Sequence, residues 1–296
     1  MKLLNSLGNA LALAAIVLFL YLALTNPGGF EKLHFDQRTL SSLAAGVLIY
    51  LLVSVIGAST WFILLRSLRE RIAWSRALSI FLVSQAAKYV PGNIAHHVGR
   101  VVLAQRQGIR LNVALYSLFI EFVLLIASAS LLALAYLLTL GTNDFGDIHG
   151  VDGRWVLFAV MVLAVLSPMF GHRLIDRGLG LWSKLRQVEL KPLNRIAAAP
   201  LGLAAGLFFL GFLLCGVLLQ LFARQVFGHE GGGILALSGI FAGAWVIGFI
   251  SPGAPAGLGI REVVLLAALT PIYGKEIAIA MAGLLRVTTV IGDGAA

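Results

Sequence analysis

The chain has 296 residues, of which 59% are hydrophobic and only 12% charged, with a mean hydropathy of +0.95. Soluble domains carry about 25% charged residues, so composition excludes a soluble globular protein. The apolar runs are long and do not alternate, which predicts a helical membrane protein. The net charge of +9 is scattered over short loops; it excludes a basic domain for nucleic acid and reports orientation and affinity for anionic lipid.

In chain order, Lys2 and the apolar run that follows resemble a signal peptide, but no small-x-small cleavage site comes after it. A retained first span is therefore predicted over 7–24. The second span covers 43–65 and leads into a basic loop with Arg66, Arg69, Arg71 and Arg76. The third segment, 77–103, is broken by Pro91-Gly92. Its arms, 77–87 and 94–103, would each be roughly 15–20 Å as helix, too short for a hydrocarbon core of ~30 Å. Pro91 removes a backbone donor, Gly92 permits a sharp turn, and Asn93 is a good N-cap for the second arm.

The fourth span, 111–140, carries Glu121 inside it. An acidic loop, 141–154, follows with Asp144, Asp147 and Asp152, then a fifth span over 155–170. The loop 171–197 is the most basic, and 172–185 reads as an amphipathic surface helix. The sixth span covers 200–227 and holds the single cysteine, Cys215, as a packing residue. The seventh segment starts at 234, is interrupted over 251–259 by Pro252-Gly253 and further glycines, and resumes as a short arm over 260–269. An eighth begins near Glu276 and carries Arg286 and Asp293.

The positive-inside rule arranges these segments. With the loops 66–76 and 171–197 in the cytoplasm and 141–154 outside, the third segment must start and finish on the cytoplasmic side. The seventh then dips in from outside. The expectation is one all-α polytopic transmembrane domain over 1–296, with about six crossings, two re-entrant or broken helix pairs, and both chain ends cytoplasmic. Each half has its third segment broken at Pro-Gly, and each break is followed within nine residues by an arginine, Arg100 and Arg261. The halves 1–140 and 155–296 therefore read as an inverted repeat. Interrupted segments in corresponding positions point to a transporter's midplane site.

An ionisable group at the helix centre costs roughly 2.5–3.5 kcal/mol even on the lenient insertion scale, so those at membrane depth must pair or line a polar cavity. They are Lys88, Arg100, Glu121, Arg261, Glu262, Arg286 and Asp293. Glu121 lies about 15 Å along its helix, the depth of a re-entrant tip, as a partner for Lys88 or Arg100. Helix N-termini near Asn93 and near Gly257 and Gly259 would aim backbone N–H groups at an anion. Arginine suits phosphate because its planar fork binds two oxygens. The alternatives are structural: Lys88 and Arg100 snorkelling to water, an Arg261–Glu262 ion pair, and His96 and His97 as a polar turn instead of a head-group or proton site. No metal cluster, phosphate-binding loop or nucleophile–base pair is seen, so no catalytic residue, metal or cofactor is expected.

Lys88-Tyr89-Val90-Pro91-Gly92-Asn93 with Gly99-Arg100, then Pro255-Ala256-Gly257-Leu258-Gly259-Ile260-Arg261-Glu262, resemble the two signatures of the flippase-like membrane proteins. These include the transmembrane region of bacterial lysylphosphatidylglycerol synthases. Arg286 with Asp293 resembles their last-helix pattern; Asn93 and Ala256 stand where smaller residues are commoner. The resemblance implies a stand-alone member, without the soluble synthase domain, that moves lipid between leaflets of the bacterial inner membrane. The expected partners are lipids with anionic head groups, a phospholipid or a polyprenyl-phosphate-linked lipid, and envelope-biosynthesis enzymes. The expected site comprises Lys88, Asn93, His97, Arg100, Glu121, Gly257, Gly259, Arg261, Glu262 and Arg286. The alternative is a membrane-embedded enzyme or accessory subunit of envelope glycan or lipid synthesis; a third class is a scaffold with no site.

Overall fold

A computed structural model describes residues 2–31, 33, 36–89, 95–139, 195–251 and 255–296. Among these residues the chain is helical, with no strand. The elements are α1 (Lys2–Thr25), α2 (Gly28–Glu31), α3 (Gln37–Ser67), α4 (Trp74–Gln85) with a 3-10 turn over Ala86–Tyr89, α5 (Ala95–Arg106) and α6 (Leu111–Thr139). They continue with α7 (Ala198–Gln225), α8 (Ile234–Ile250), a 3-10 turn over Pro255–Gly257, α9 (Ile260–Tyr273) and α10 (Lys275–Ala295).

Helices α3, α6, α7 and α10 are long and apolar enough to cross a membrane. At 1.5 Å per residue they run from about 32 Å to about 46 Å, whereas α4 and α5 reach only about 18 Å and α9 about 21 Å. Only 28% of the most apolar window of α3 is buried within the protein. Its exposed Leu48 and Leu52 form an outward apolar face that belongs against lipid. The multi-pass membrane character read from composition is therefore built into the helices.

Local chemistry sets the helix ends. Asp36 caps α3 by accepting from Thr39 N–H at 2.8 Å, which holds its exposed carboxyl below the ordinary carboxylate range. Gly108, at φ +81°, stops α5, and Ile109 N–H turns back to the Ala104 carbonyl at 3.1 Å. The first broken pair starts and finishes side by side: Arg110 Nε donates to Glu70 Oε1 at 2.7 Å, and Arg76 Nη1 to Gln107 Oε1 at 3.4 Å. The second pair is closed in the same manner, with the Tyr273 hydroxyl donating to the Gly231 carbonyl.

Helices α3 and α7 pack antiparallel. A Cβ at Gly46 would lie 3.1 Å from Phe222, and one at Gly211 3.8 Å from Val53, so the start of α3 meets the end of α7. Helix α10 runs parallel to α3, with Gly46 beside Thr288 and Gly292 beside Tyr50. Each broken pair follows the C-terminal end of α3 or α7, so the two pairs begin at opposite ends of the molecule. Their 3-10 turns contact each other. Around this junction lie two apolar cores. One joins α6 through α10, with Phe222, Leu237 and Leu265 fully buried; the other joins α3 to α4 and the first half of α6 around Trp61, Leu64 and Ile120.

The boundaries differ from the sequence reading in several places. The first arm begins at Trp74 and the second runs to Arg106, each continuing until a turn ends it. The arm placed at 260–269 continues to Tyr273 through Pro271, whose ring sits at an exposed position near the helix end. The Pro91-Gly92 and Pro252-Gly253 steps, Asn93 as a helix cap, the acidic loop 141–154, the fifth span 155–170 and the surface helix 172–185 lie outside the described residues.

Candidate functional site

A partly open cavity of about 240 Å³ lies at the junction of the two broken pairs. Its lining among the described residues includes four cations, Lys88, Arg100, Arg261 and Arg286, and a single carboxylate, Glu121. The first 3-10 turn brings Lys88, α5 brings His96, His97 and Arg100, the start of α9 brings Arg261, and α10 brings Arg286. Sequence separation hides this convergence; the fold produces it by opposing the two breaks.

Each cation is balanced differently. Arg100, 1% exposed, donates through Nη1 to both Glu121 oxygens, at 2.8 and 2.7 Å. Its guanidinium lies 4.1 Å from the Phe81 ring centroid and 5.6 Å from that of Trp61. Lys88 Nζ lies 2.6 Å from Asp293 Oδ1 and donates to the Tyr50 hydroxyl at 2.9 Å. Tyr50 donates to the same carboxylate oxygen at 2.8 Å, and the Tyr89 hydroxyl donates to Asp293 Oδ2.

Arg261 and Arg286 share one counter-ion. Glu262 Oε1 lies 3.7 Å from Arg261 Nη2 and 3.5 Å from Arg286 Nη1, ion-pair distances too long for a good hydrogen bond. The other oxygen, Oε2, accepts from the Gly259 N–H at 2.7 Å. Arg261 Nε and Arg286 Nη2 are buried with no hydrogen-bond partner. Among the described residues, counting Glu262 and Asp293 behind the wall with Glu121, four cations meet three carboxylates, one positive charge more than negative.

Of the predicted site residues, Lys88, His97, Arg100, Glu121, Gly257, Arg261 and Arg286 line this cavity. Glu262 stands behind it. Gly259 does not line it: its φ is +81°, and a Cβ there would lie 2.5 Å from Ile16 N of α1. Its N–H is already held by Glu262, so this amide is not free for an anion. Asn93 lies outside the described residues. The side-chain set omitted Tyr50 and Asp293. Asp293 is legible as lying seven residues after Arg286, on the same helical face; Tyr50 sits in an apolar run with no local signal.

Part of the lining is aromatic. His96 and His97 have ring centroids 3.6 Å apart, His97 meets the edge of Phe122 at 4.4 Å, and Phe122 lies 5.5 Å from Phe249. Phe249 stacks on Trp245 at 5.0 Å with 8° between their planes. Both ring nitrogens of His97 and Nδ1 of His96 are buried without a partner. No group of three His, Cys, Asp or Glu side chains comes together as a metal site among the described residues.

These features agree with comparison to known proteins. The sequence model described as the lysylphosphatidylglycerol synthase TM region matches residues 9–295. The chain belongs to that family. The match is to the family's transmembrane region, which places the chain among membrane proteins of lipid-related processes. No curated protein matches the chain significantly.

Proposed function

We propose that this chain is a translocase for lipids with anionic head groups, a phospholipid or a polyprenyl-phosphate-linked lipid, in the bacterial inner membrane. The observation that carries the reading is the pair Arg261 and Arg286, which line a cavity whose described charges leave one positive in excess and which share a single carboxylate, with Arg261 Nε and Arg286 Nη2 buried and unpartnered. A buried donor without a partner costs about 1–3 kcal/mol. A phosphate oxygen would supply the missing acceptors, and the guanidinium fork matches its geometry. Arg261 and Arg286 would hold the phosphate, Glu262 would keep both guanidinia in place, and the lipid tails would stay in the bilayer. Arg100 is committed to Glu121 and Lys88 to Asp293, so both support the cavity without being free ligands.

The architecture supports alternating access. We read the described order long–short–short–long, α3 to α6 and again α7 to α10, as two inverted halves. The broken pairs are read as re-entrant, starting from opposite faces and meeting at mid-membrane, with about six crossings in all. The exposed Arg66, Arg69, Arg71, Arg76 and Arg106 gather at the end where α3 finishes. By the positive-inside rule that end is cytoplasmic, as are both chain ends. The proposal assigns no catalytic step; envelope-biosynthesis enzymes would supply or consume the lipid.

The test is reconstitution of the purified protein with head-group-labelled phosphatidylglycerol and a short-chain polyprenyl phosphate, followed by a membrane-impermeant quencher. Protein-dependent exposure of the inner-leaflet pool, lost in Arg261→Gln/Arg286→Gln, is expected. Exposure equal in both proteins would keep translocation and discard this anion site. No exposure with either lipid would overturn the reading.

A further inference from the structure

The first broken pair carries charge on its outer surface as well as toward the cavity. Helices α4 and α5 pack on each other, and the start of α4 lies beside the end of α5. On α4, Arg76, Ser79 and Val83 are exposed at spacings of three and four residues, so they share one helical face. On α5, Val98, Val102 and Arg106 are exposed at four-residue spacing. Each outer face therefore has an arginine at the mouth of the pair and valine toward its tip. Val83 lies about 10 Å along α4 from Arg76, and Val98 about 12 Å along α5 from Arg106.

Trp74 sets the depth of this mouth. Its exposed indole donates from Nε1 to Ser59 Oγ at 3.1 Å. Ser59 lies about 12 Å along α3 from Ser67 at the helix end, so α4 starts alongside the body of α3 and not level with its end. Tryptophan favours the membrane–water interface, which puts Arg76, two residues on, at the depth of lipid phosphates. The stretches 66–76 and 105–110 hold six arginines, no lysine and one carboxylate, Glu70. Arg110 takes that carboxylate at 2.7 Å. Arg76 meets only the neutral Gln107, at 3.4 Å, and neither Arg76 nor Arg106 pairs with a carboxylate among the described residues.

We infer that the outer face of α4 and α5 is a binding surface for an anionic phospholipid of the cytoplasmic leaflet. Arg76 and Arg106 take its phosphate, and its acyl chains run along Val83, Val98 and Val102. Charge complementarity and the order of chemistry with depth select this occupant. Orientation by positive charge is served equally by lysine, whereas the guanidinium fork matches phosphate oxygens. An acidic protein segment would satisfy the arginines but not the valines, which stand at hydrocarbon depth. The surface shares no residue with the cavity lining. It uses the re-entrant reading of α4 and α5 but not the anion site of Arg261 and Arg286, and a lipid bound there joins the start of α4 to the end of α5.

The test is site-directed fluorescence quenching in the Cys215→Ala background. A bimane label is placed at Val83→Cys or, as a control, at Leu48→Cys, on the exposed apolar face of α3 and about 27 Å along that helix from Arg66. Each protein is reconstituted in mixtures of phosphatidylcholine and phosphatidylglycerol, with one lipid at a time brominated at mid-chain. Competition between the two lipids gives their relative affinity at each label. At Val83, phosphatidylglycerol should bind about fivefold or more tightly than phosphatidylcholine, the scale of one arginine at an anionic surface. At Leu48 the ratio should be near one. Arg76→Gln/Arg106→Gln should bring the Val83 ratio to near one, and high salt should lower it. A Val83 ratio near one without those substitutions would overturn the inference, and so would a preference that survives them or that appears equally at Leu48. Quenching at Val83 by neither lipid would show that protein covers this face, and would overturn it too. The comparison of Val83 with Leu48 decides the matter even where the double variant does not fold, and every outcome leaves the translocase reading to its own assay.

Discussion

Lys88 Nζ and Asp293 Oδ1 lie 2.6 Å apart, an ion pair that spans 205 residues and fastens the first 3-10 turn to the last turn of α10. Removing one partner of a buried pair leaves the other charged without a counter-ion, at about 3–5 kcal/mol. Asp293→Asn should cost about 3 kcal/mol, the low end of that range, because the Lys88 side chain keeps 14% of its surface exposed. Lys88→Met combined with Asp293→Asn should recover more than half of the loss. Equilibrium unfolding in a denaturing detergent measures both. A double variant no more stable than Asp293→Asn would mean that the stranded lysine is not the source of the cost.

Arg100 has both its counter-ion and its stacking partners in place, which separates it from Arg261 and Arg286. Arg100→Lys should lose about 1–2 kcal/mol, because an ammonium keeps the charge but not the planar contact with Phe81. Replacing the pair together, Arg100→Met/Glu121→Leu, should be close to neutral for stability and should leave anionic-lipid binding in place. Arg286→Gln should weaken that binding about tenfold or more, a loss of about 1.4 kcal/mol. Thermal unfolding with lipid titration checks both outcomes. If the double variant loses lipid binding as completely as Arg286→Gln, Arg100 is itself a ligand.

The long spans were legible because apolar length is a strong signal: the spans read at 43–65, 111–140 and 200–227 fall on α3, α6 and α7. The Glu121–Arg100 pair was half legible. Depth along a helix follows from residue count, and it named Arg100 as one of two partners. What decided between them was the approach of α5 to α6, a tertiary fact. Lys88 and Asp293 were both visible as buried charges, but a separation of 205 in sequence leaves no local rule to pair them. The aromatic part of the lining was invisible for a different reason. In a membrane chain, Phe122, Trp245 and Phe249 carry the same hydropathy whether they face lipid or a cavity, so only the fold distinguishes them. Gly259 was misplaced toward the cavity because a glycine before a helix suits both an anion site and close packing. Here it packs on α1.

Gly292 is a space-limited position. A Cβ there would lie 2.4 Å from Tyr50 Cδ1, so α10 approaches α3 as closely as it does only through this glycine. Gly292→Ala should cost about 1–3 kcal/mol as overpacking and push the Tyr50 hydroxyl away from Lys88 and Asp293. Gly294, two residues on in the same helix, has open space around its Cβ position. Gly294→Ala should be neutral or stabilise by up to about 1 kcal/mol through helix propensity. A comparison of the two unfolding curves isolates the contact, and equal effects would remove Tyr50 from the explanation.

The opposite sense of the two broken pairs can be read directly by labelling. Gln107 is exposed beside the end of the first pair, next to Arg76, and Glu230 is exposed just before the second. Because α3 and α7 are antiparallel, these positions lie at opposite ends of the molecule. Cys215 is buried in α7, so Cys215→Ala supplies a background free of thiols. In that background Glu230→Cys should react with an impermeant maleimide in spheroplasts, and Gln107→Cys only in inside-out vesicles, since the arginine-rich end belongs in the cytoplasm. Reversal of both results would invert the orientation but keep the two-sided arrangement. Labelling of both from one face would remove the inverted repeat, and with it the argument that the two breaks approach one mid-membrane cavity from opposite sides.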